Sequence, residues 1–257
     1  MDRREEAPME FDSGDVRLRY AVTGSGEPLL WLHGFMGAGA DWLHLFPETP
    51  SGFRLIAPDL PGHAGSSSPT RPFRFGEAAD HVAALLRHLG VPRVKIIGLS
   101  GGGIVALHLA TRDPDLVDAM VVISAPPRFP PEARAIQRQW SAEMLPPSER
   151  ARLQATHART GQLDWLFAEA RGFADSHDDV DFTPERLACI TADTLIVFGD
   201  RDPFYPVALA VELHQHIRDA RLWVVPNGGH GPVFGTMAPA FRETVLPFLR
   251  GAWRVAR

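Results

Sequence analysis

A chain of 257 residues, 45% of them hydrophobic, is long enough to form one large α/β domain or two small ones. The formal charge of −5, and the lack of basic clusters interleaved with aromatic residues, argue against nucleic acid and anionic membranes as partners. The single cysteine, Cys189, excludes an intrachain disulfide and a thiolate metal cluster.

Most of residues 1–10 are charged, and we expect this start to be frayed. These residues lack the apolar core of a signal peptide, and no apolar run approaches the roughly 20 residues that span a bilayer. We therefore expect a cytoplasmic protein. From Val16 to Val22, apolar residues then alternate with mainly polar ones, which predicts a half-exposed strand that ends at Gly24.

Short apolar runs follow, and their hydrophobicity is continuous rather than alternating. Continuous runs of this length are typical of parallel strands that are covered by helices on both faces. The runs are Leu29–Leu32, Phe53–Ala57, Val94–Leu99, Ala119–Ile123, Leu195–Phe198 and Leu222–Val225.

Helical patterns lie between these runs. Apolar residues recur at helical spacing over 78–89 and stop at Gly90, a typical C-terminal signal. Further helices are predicted after Ser100, from Pro206, and over 239–249. Strands that alternate with helices predict an α/β fold with a mainly parallel central sheet flanked by helices.

Residues 126–187 break this alternation, because they contain several helical pieces and no convincing strand. One piece begins at Pro130-Pro131, and the last begins at Thr183-Pro184, where an N-cap residue precedes proline. We therefore predict a helical insertion over 126–187 (the insertion), between core segments 1–125 and 188–257.

The sequence Gly98-Leu99-Ser100-Gly101-Gly102 joins a predicted buried strand to a predicted helix. Glycines permit a sharp turn and leave room around the hydroxyl, so Ser100 Oγ can project as a nucleophile. Gly101, Gly103 and Ala106 also fit a dinucleotide-binding fingerprint. That motif normally opens the first βαβ unit and has an acidic residue after the next strand, whereas the next strand here ends in Ser124. We therefore favour the nucleophile.

A serine nucleophile needs a base and an orienting carboxylate. His230 lies between glycines directly after the last predicted strand, where the C-terminal edge of a parallel sheet gathers catalytic groups. Asp200 and Asp202 both follow the strand before it. We favour Asp202, which lies further out in its loop and can reach toward His230, over Asp200, which is better placed to cap the turn. Donors to an oxyanion are expected from the Gly101 amide and from the glycine-rich loop 33–37.

Taken in order, these motifs resemble the α/β-hydrolase superfamily, over about residues 16 to 250. The residues that carry the resemblance are His33-Gly34, Asp59-Leu60-Pro61-Gly62-His63, Gly98-Leu99-Ser100-Gly101-Gly102, Gly199-Asp200-Arg201-Asp202 and Gly229-His230. The resemblance implies that Ser100 is the nucleophile, His230 the general base and acid, and Asp202 the orienting acid. It also implies an oxyanion hole formed by the amides of Phe35 and Gly101, and an insertion that acts as a cap.

The identity of the nucleophile favours one chemistry within this superfamily. Haloalkane dehalogenases and epoxide hydrolases resemble this chain but use aspartate on the strand-to-helix turn that carries Ser100 here (the elbow, residues 98–102). Serine at this position favours acyl transfer. The resemblance thus implies a serine carboxylesterase or lactonase that needs no cofactor and no metal. A thioesterase, an amidase, a cofactor-free perhydrolase, a carbon–carbon bond hydrolase, a hydroxynitrile lyase and a weakly catalytic ligand receptor stay open as alternatives.

Few charged residues lie near the motif loops, so we expect an apolar substrate pocket. We predict that it is lined by Phe35, Met36, Trp140, Phe204 and Phe234. The expected partner is a small-to-medium apolar ester, and the sequence predicts no oligomeric state.

Overall fold

The computed structural model describes residues 8–254. Residues 1–7, at the start of the predicted core segment 1–125, and residues 255–257, at the end of the segment 188–257, lie outside this range. The strands are β1 (Met9–Ser13), β2 (Val16–Gly24), β3 (Glu27–Leu32), β4 (Phe53–Pro58), β5 (Val94–Leu99), β6 (Val117–Ile123), β7 (Asp193–Gly199) and β8 (Ala220–Val225). They form one sheet in the order β1-β2-β4-β3-β5-β6-β7-β8. The β1–β2 and β2–β4 pairs are antiparallel, and the other pairs are parallel.

The helices follow the strands much as the sequence predicts. They are α1 (Phe75–His88), α2 (Gly101–Arg112), α3 (Pro131–Gln139), α4 (Pro147–Thr156), α5 (Leu163–Gly172), α6 (Pro184–Ala188), α7 (Val207–His216) and α8 (Ala238–Leu249). In the part of the chain that the structure describes, no helix has the length and apolar character needed to cross a membrane.

The sheet is covered on both faces, as continuous apolar strands require. On one face, α1, α2 and α7 bury alternate strand residues such as Leu30 and Ile96. On the other face, α8 and a short 3₁₀ helix (Gly39–His44) cover the intervening residues, such as Trp31 and Ile97. The predicted fold class, a mainly parallel sheet flanked by helices, is confirmed.

Residues 9 and 10 depart from the prediction of a frayed segment, whereas residues 1–7 of that segment lie outside the described range. Residues Met9–Ser13 form β1, which pairs antiparallel with β2 and places Ser13 opposite Val16. The connection is a two-residue turn in which Gly14 has a φ of +67°, a conformation that suits tight hairpins. An alternation of apolar and polar residues over only five positions, beside a charged run, is too short a signal to detect in the sequence.

The insertion lies between β6 and β7 and contains α3 and α6, which begin where the sequence predicts, with α4 and α5 between them. An isolated bridge between Arg128 and Asp181 joins its two ends. Its apolar cluster, which includes Leu153 of α4, packs on Met36 from the loop after β3. The insertion therefore lies against that loop, and the division of the chain at 125 and 188 into core and cap stays a prediction.

The C-terminal part of the insertion is tied to the core through Asp179 and His108. The Asp179 carboxylate accepts hydrogen bonds from the amides of Phe75 and Gly76 at the start of α1, at 2.6 and 3.0 Å. His108, on α2, donates from Nε2 to the Asp179 carbonyl at 2.8 Å, and its Nδ1 is buried without a partner among the described residues. Burial, with Arg112 nearby, lowers the pKa of His108 from 6.5 to about 3.

This depressed pKa makes stability depend on pH. Between pH 6.5 and about 3 the unfolded chain binds a proton at His108 that the folded chain does not, so the stabilisation is complete above pH 6.5 and is lost on acidification. The variant His108→Gln retains a hydrogen-bond donor but cannot be protonated. We expect its unfolding free energy to decrease less steeply with falling pH than that of wild type, by up to about 1.4 kcal/mol per pH unit. Urea unfolding at pH 7.5, 6 and 5 measures this. The exposed His214→Gln variant should keep the wild-type slope, and equal slopes in all three proteins would contradict the assignment.

Candidate active site

Ser100 stands on the turn between β5 and α2, with φ +49° and ψ −115°. This left-handed conformation is uncommon for a residue with a Cβ and holds the side chain clear of both elements. The neighbouring glycines are needed because the chain is crowded here. A Cβ at Gly98 would lie 2.6 Å from the Gly102 carbonyl oxygen, and one at Gly102 would lie 2.2 Å from the Leu32 carbonyl oxygen. The glycines thus allow the elbow to lie directly against β3.

The structure brings Ser100, His230 and Asp202 into one hydrogen-bonded series. The distance from His230 Nε2 to Ser100 Oγ is 2.8 Å, and that from His230 Nδ1 to Asp202 Oδ2 is 2.9 Å. Because a carboxylate only accepts, Nδ1 donates to Asp202, which leaves the Nε2 lone pair for the serine hydroxyl. These three residues come from the loops after β5, β7 and β8, at the C-terminal edge of the sheet.

Burial and backbone contacts distinguish Asp202 from Asp200. The Asp202 side chain is 0% exposed, and its second oxygen, Oδ1, accepts from the amides of Phe204 and Tyr205 at 2.8 and 3.2 Å. Asp200 is exposed. The Phe204 and Tyr205 rings also lie against the His230 imidazole, with centroids 4.8 and 5.3 Å away. Burial and the Asp202 charge raise the pKa of the Tyr205 hydroxyl, so it stays neutral beside the imidazole.

The amides of Phe35 and Gly101 lie side by side next to Ser100. Gly101 is the first residue of α2, so its N–H has no acceptor within the helix. A Cβ on Gly101 would lie 3.1 Å from the Phe35 nitrogen, which shows how closely the loop after β3 approaches the helix. Two amides beside a nucleophile form a place where a developing oxyanion could be bound.

Two buried histidines hold the loop that carries Phe35. His33 accepts from the Leu60 amide at Nε2 (2.9 Å) and donates from Nδ1 to the Gly34 carbonyl (2.8 Å). His157, at the end of α4, accepts from the Ala64 amide (3.0 Å) and donates to the Met36 carbonyl (3.1 Å). Burial lowers the pKa of both imidazoles, which keeps them neutral and able to accept and donate at once. The sequence contains no local signal for the contact made by His157, because its partners are about a hundred residues away.

A cavity of about 310 Å³ opens at Ser100 between the sheet edge and the insertion. Four of the predicted lining residues, Phe35, Met36, Trp140 and Phe204, form part of its wall. Phe234 does not line the cavity, so its predicted place in the wall is wrong. It packs instead against the apolar cluster between the sheet and α8, and its ring lies close to Gly231. Two further aromatic residues of the insertion, Phe129 and Phe173, line the cavity as well. Lining residues that no local pattern in the sequence points to include Phe75, Ile104, Gln137, Glu149, Arg152 and Tyr205.

Comparison with protein families agrees with this geometry. Residues 27–146 match the model of the alpha/beta hydrolase fold, and residues 176–253 match a second model, described as TAP-like protein. The serine hydrolase BPHL of Mus musculus is 30% identical over 251 residues, which cover 91% of this chain and 84% of the mouse protein. The chain belongs to the α/β-hydrolase family.

Other similarities are narrower or more distant. A soluble epoxide hydrolase from Corynebacterium sp. (strain C12) is 36% identical over 111 residues, which are 43% of this chain and only 39% of that protein. A crystal structure of a mutant meta-cleavage product hydrolase, CumD, superposes with a TM-score of 0.80 at 21% identity, covering 95% of this chain and 98% of that one. This structural match shows the fold, and the family and its relatives together support a hydrolase.

Proposed function

We propose that the protein is a serine hydrolase that cleaves small-to-medium apolar carboxylic esters through an acyl-Ser100 intermediate. The observation that carries the proposal is the hydrogen-bonded series from Asp202 through His230 to Ser100 Oγ, at 2.9 and 2.8 Å. The series ends beside the Phe35 and Gly101 amides, in a cavity with a mainly apolar wall. Nucleophile, base, orienting acid and oxyanion donors are the groups that acyl transfer requires.

In the first half of the reaction, Ser100 Oγ attacks the ester carbonyl and its proton passes to His230 Nε2. The carbonyl oxygen becomes an oxyanion, held by the Phe35 and Gly101 N–H groups. The Asp202 carboxylate, which accepts from His230 Nδ1, stabilises the imidazolium. His230 then returns the proton to the leaving alkoxide as the carbon–oxygen bond breaks, which leaves acyl-Ser100 and an alcohol.

In the second half, water attacks the acyl carbon and gives its proton to His230. The new tetrahedral intermediate collapses, the bond to Ser100 Oγ breaks, and His230 returns the proton to that oxygen. Both halves need the Nε2 lone pair of His230, because that nitrogen accepts the proton at the start of each half. The presence of serine rather than aspartate at the elbow supports this acyl route over epoxide opening or dehalogenation.

The proposal is tested with a panel of p-nitrophenyl esters of short and medium acyl chain, together with lactones and an acyl thioester. We expect the esters to be hydrolysed, with a preference for acyl chains that fill the cavity. A protein that cleaved a charged thioester and none of the neutral esters would contradict the proposed substrate class. The rates with the lactones and with the acyl thioester distinguish an esterase from a lactonase and a thioesterase.

Covalent labelling tests the nucleophile independently of the substrate. A fluorophosphonate should add its mass at Ser100 in the wild-type protein, because the activated hydroxyl attacks phosphorus as it attacks a carbonyl. His230→Ala should lose the label, whereas the exposed His214→Ala should keep it. Labelling that survives in His230→Ala would remove His230 from the role of base.

A further inference from the structure

The wall of the cavity that the insertion contributes contains a polar side chain that the proposed reaction does not use. Gln137, on α3, is only 7% exposed and lines the same cavity as Ser100. Its amide oxygen Oε1 is buried and has no hydrogen-bond partner among residues 8–254. Buried polar groups are almost always paired, and an unpaired one is destabilising. At the edge of a ligand cavity, the missing partner is expected from the ligand.

The surroundings of Gln137 make this pairing selective. Most of the wall is apolar, and the insertion adds the rings of Phe129, Trp140 and Phe173. A wholly apolar ester would fill this space and leave the Gln137 amide unpaired. An ester with one suitably placed polar group would fill the same space and also pair the amide. A site built in this way discriminates between the two by the cost of the unpaired group.

The charges in the wall indicate that this polar group is neutral. Arg152 donates two hydrogen bonds to Glu149, at 2.9 and 2.7 Å, and lies 3.7 Å from Asp41. Among the described residues of the wall, Arg152 and Glu149 are therefore paired with each other rather than available to an ionic substrate. The Gln137 amide can rotate about its terminal torsion and present either its donor or its acceptor. A hydroxyl group, which both donates and accepts, pairs with it in either orientation.

We propose that Gln137 is a specificity-determining residue that hydrogen-bonds a hydroxyl group on an otherwise apolar ester. The inference rests on the proposed function, because it concerns the ester held at Ser100. It assigns the substrate to the class of neutral hydroxy esters. The hydroxyl lies on a part of the acyl chain or of the alcohol that faces the insertion, away from the ester carbonyl.

The test compares matched esters in wild type and Gln137→Met, which keeps the unbranched shape and removes the amide. Methyl hexanoate is compared with methyl 3-hydroxyhexanoate and methyl 6-hydroxyhexanoate, and ethyl hexanoate with 2-hydroxyethyl hexanoate, by pH-stat titration. We expect wild type to prefer at least one hydroxy ester over its plain analogue by about 5- to 100-fold in kcat/KM. In Gln137→Met this preference should fall to about 1, because the variant has no amide to pair with the hydroxyl group.

Gln139→Met is the matched control, because Gln139 lies on the same helix and is exposed. It should keep the wild-type preference. Thermal unfolding checks that Gln137→Met is folded, and Gln137→Leu replaces it if it is not. If wild type cleaves the plain esters and shows no hydroxy preference, or if the preference survives loss of the amide, this inference is wrong and the proposed function stands. If wild type cleaves no ester, the proposed function fails and the inference falls with it.

Discussion

Ser100→Ala is expected to lower ester turnover by about 10⁴- to 10⁶-fold while the protein stays folded. The substitution removes only Oγ, the atom 2.8 Å from His230 Nε2, and leaves the backbone requirement at φ +49° unchanged. Residual rate over water should come from the Phe35 and Gly101 amides and from substrate binding. Initial rates with a p-nitrophenyl ester measure the loss, and circular dichroism and thermal unfolding verify the fold.

Ser124 supplies a matched control for this variant. It follows β6 as Ser100 follows β5, has a similar φ of +47°, and is buried with a hydroxyl that has no partner among the described residues. Ser124→Ala therefore makes the same chemical change in the same backbone region without touching the cavity. It should retain near wild-type turnover. Comparable activity in Ser100→Ala and Ser124→Ala would discard Ser100 as the nucleophile.

Asp202→Asn is expected to reduce kcat by about 10⁴-fold, through the histidine tautomer rather than through packing. The Phe204 and Tyr205 amides donate to Oδ1, so the oxygen of an asparagine is drawn to that position. Its NH₂ group then faces His230 Nδ1 and donates to it. The imidazole must carry its proton on Nε2 instead, which points a donor at Ser100 Oγ and removes the base.

Asp200→Asn is the comparison for this effect. Its exposed carboxylate lies in the same loop, two residues before Asp202, and the change should alter kcat by less than about 3-fold, since exposed substitutions have small effects. The rate of fluorophosphonate labelling should fall in parallel with kcat in Asp202→Asn alone. A larger loss in Asp200→Asn than in Asp202→Asn would transfer the role of orienting acid to Asp200.

Local patterns in the sequence were sufficient for the fold class and for the candidate site residues at the ends of strands. The continuous apolar runs identify parallel strands, because a strand covered on both faces has no polar side. The glycines around Ser100 and His230 mark turns that other residues cannot make so tightly. Both signals depend on interactions within a few residues, so they are readable along the chain. The alternation of apolar and polar residues in β1 was missed because it spans only five residues, which is too short a pattern to identify a strand.

What the sequence by itself determined was therefore the α/β fold, the helical content of the insertion, and the types and order of the candidate site residues. Only the tertiary structure decided that the Asp202 carboxylate, and not the exposed Asp200, meets His230, and that Phe234 turns away from the cavity. It also revealed the support from His157 and the unpaired amide of Gln137. The physical reason is that periodicity and turn chemistry act between near neighbours in the chain. Burial and contact of a particular side chain depend instead on how segments a hundred residues apart pack together.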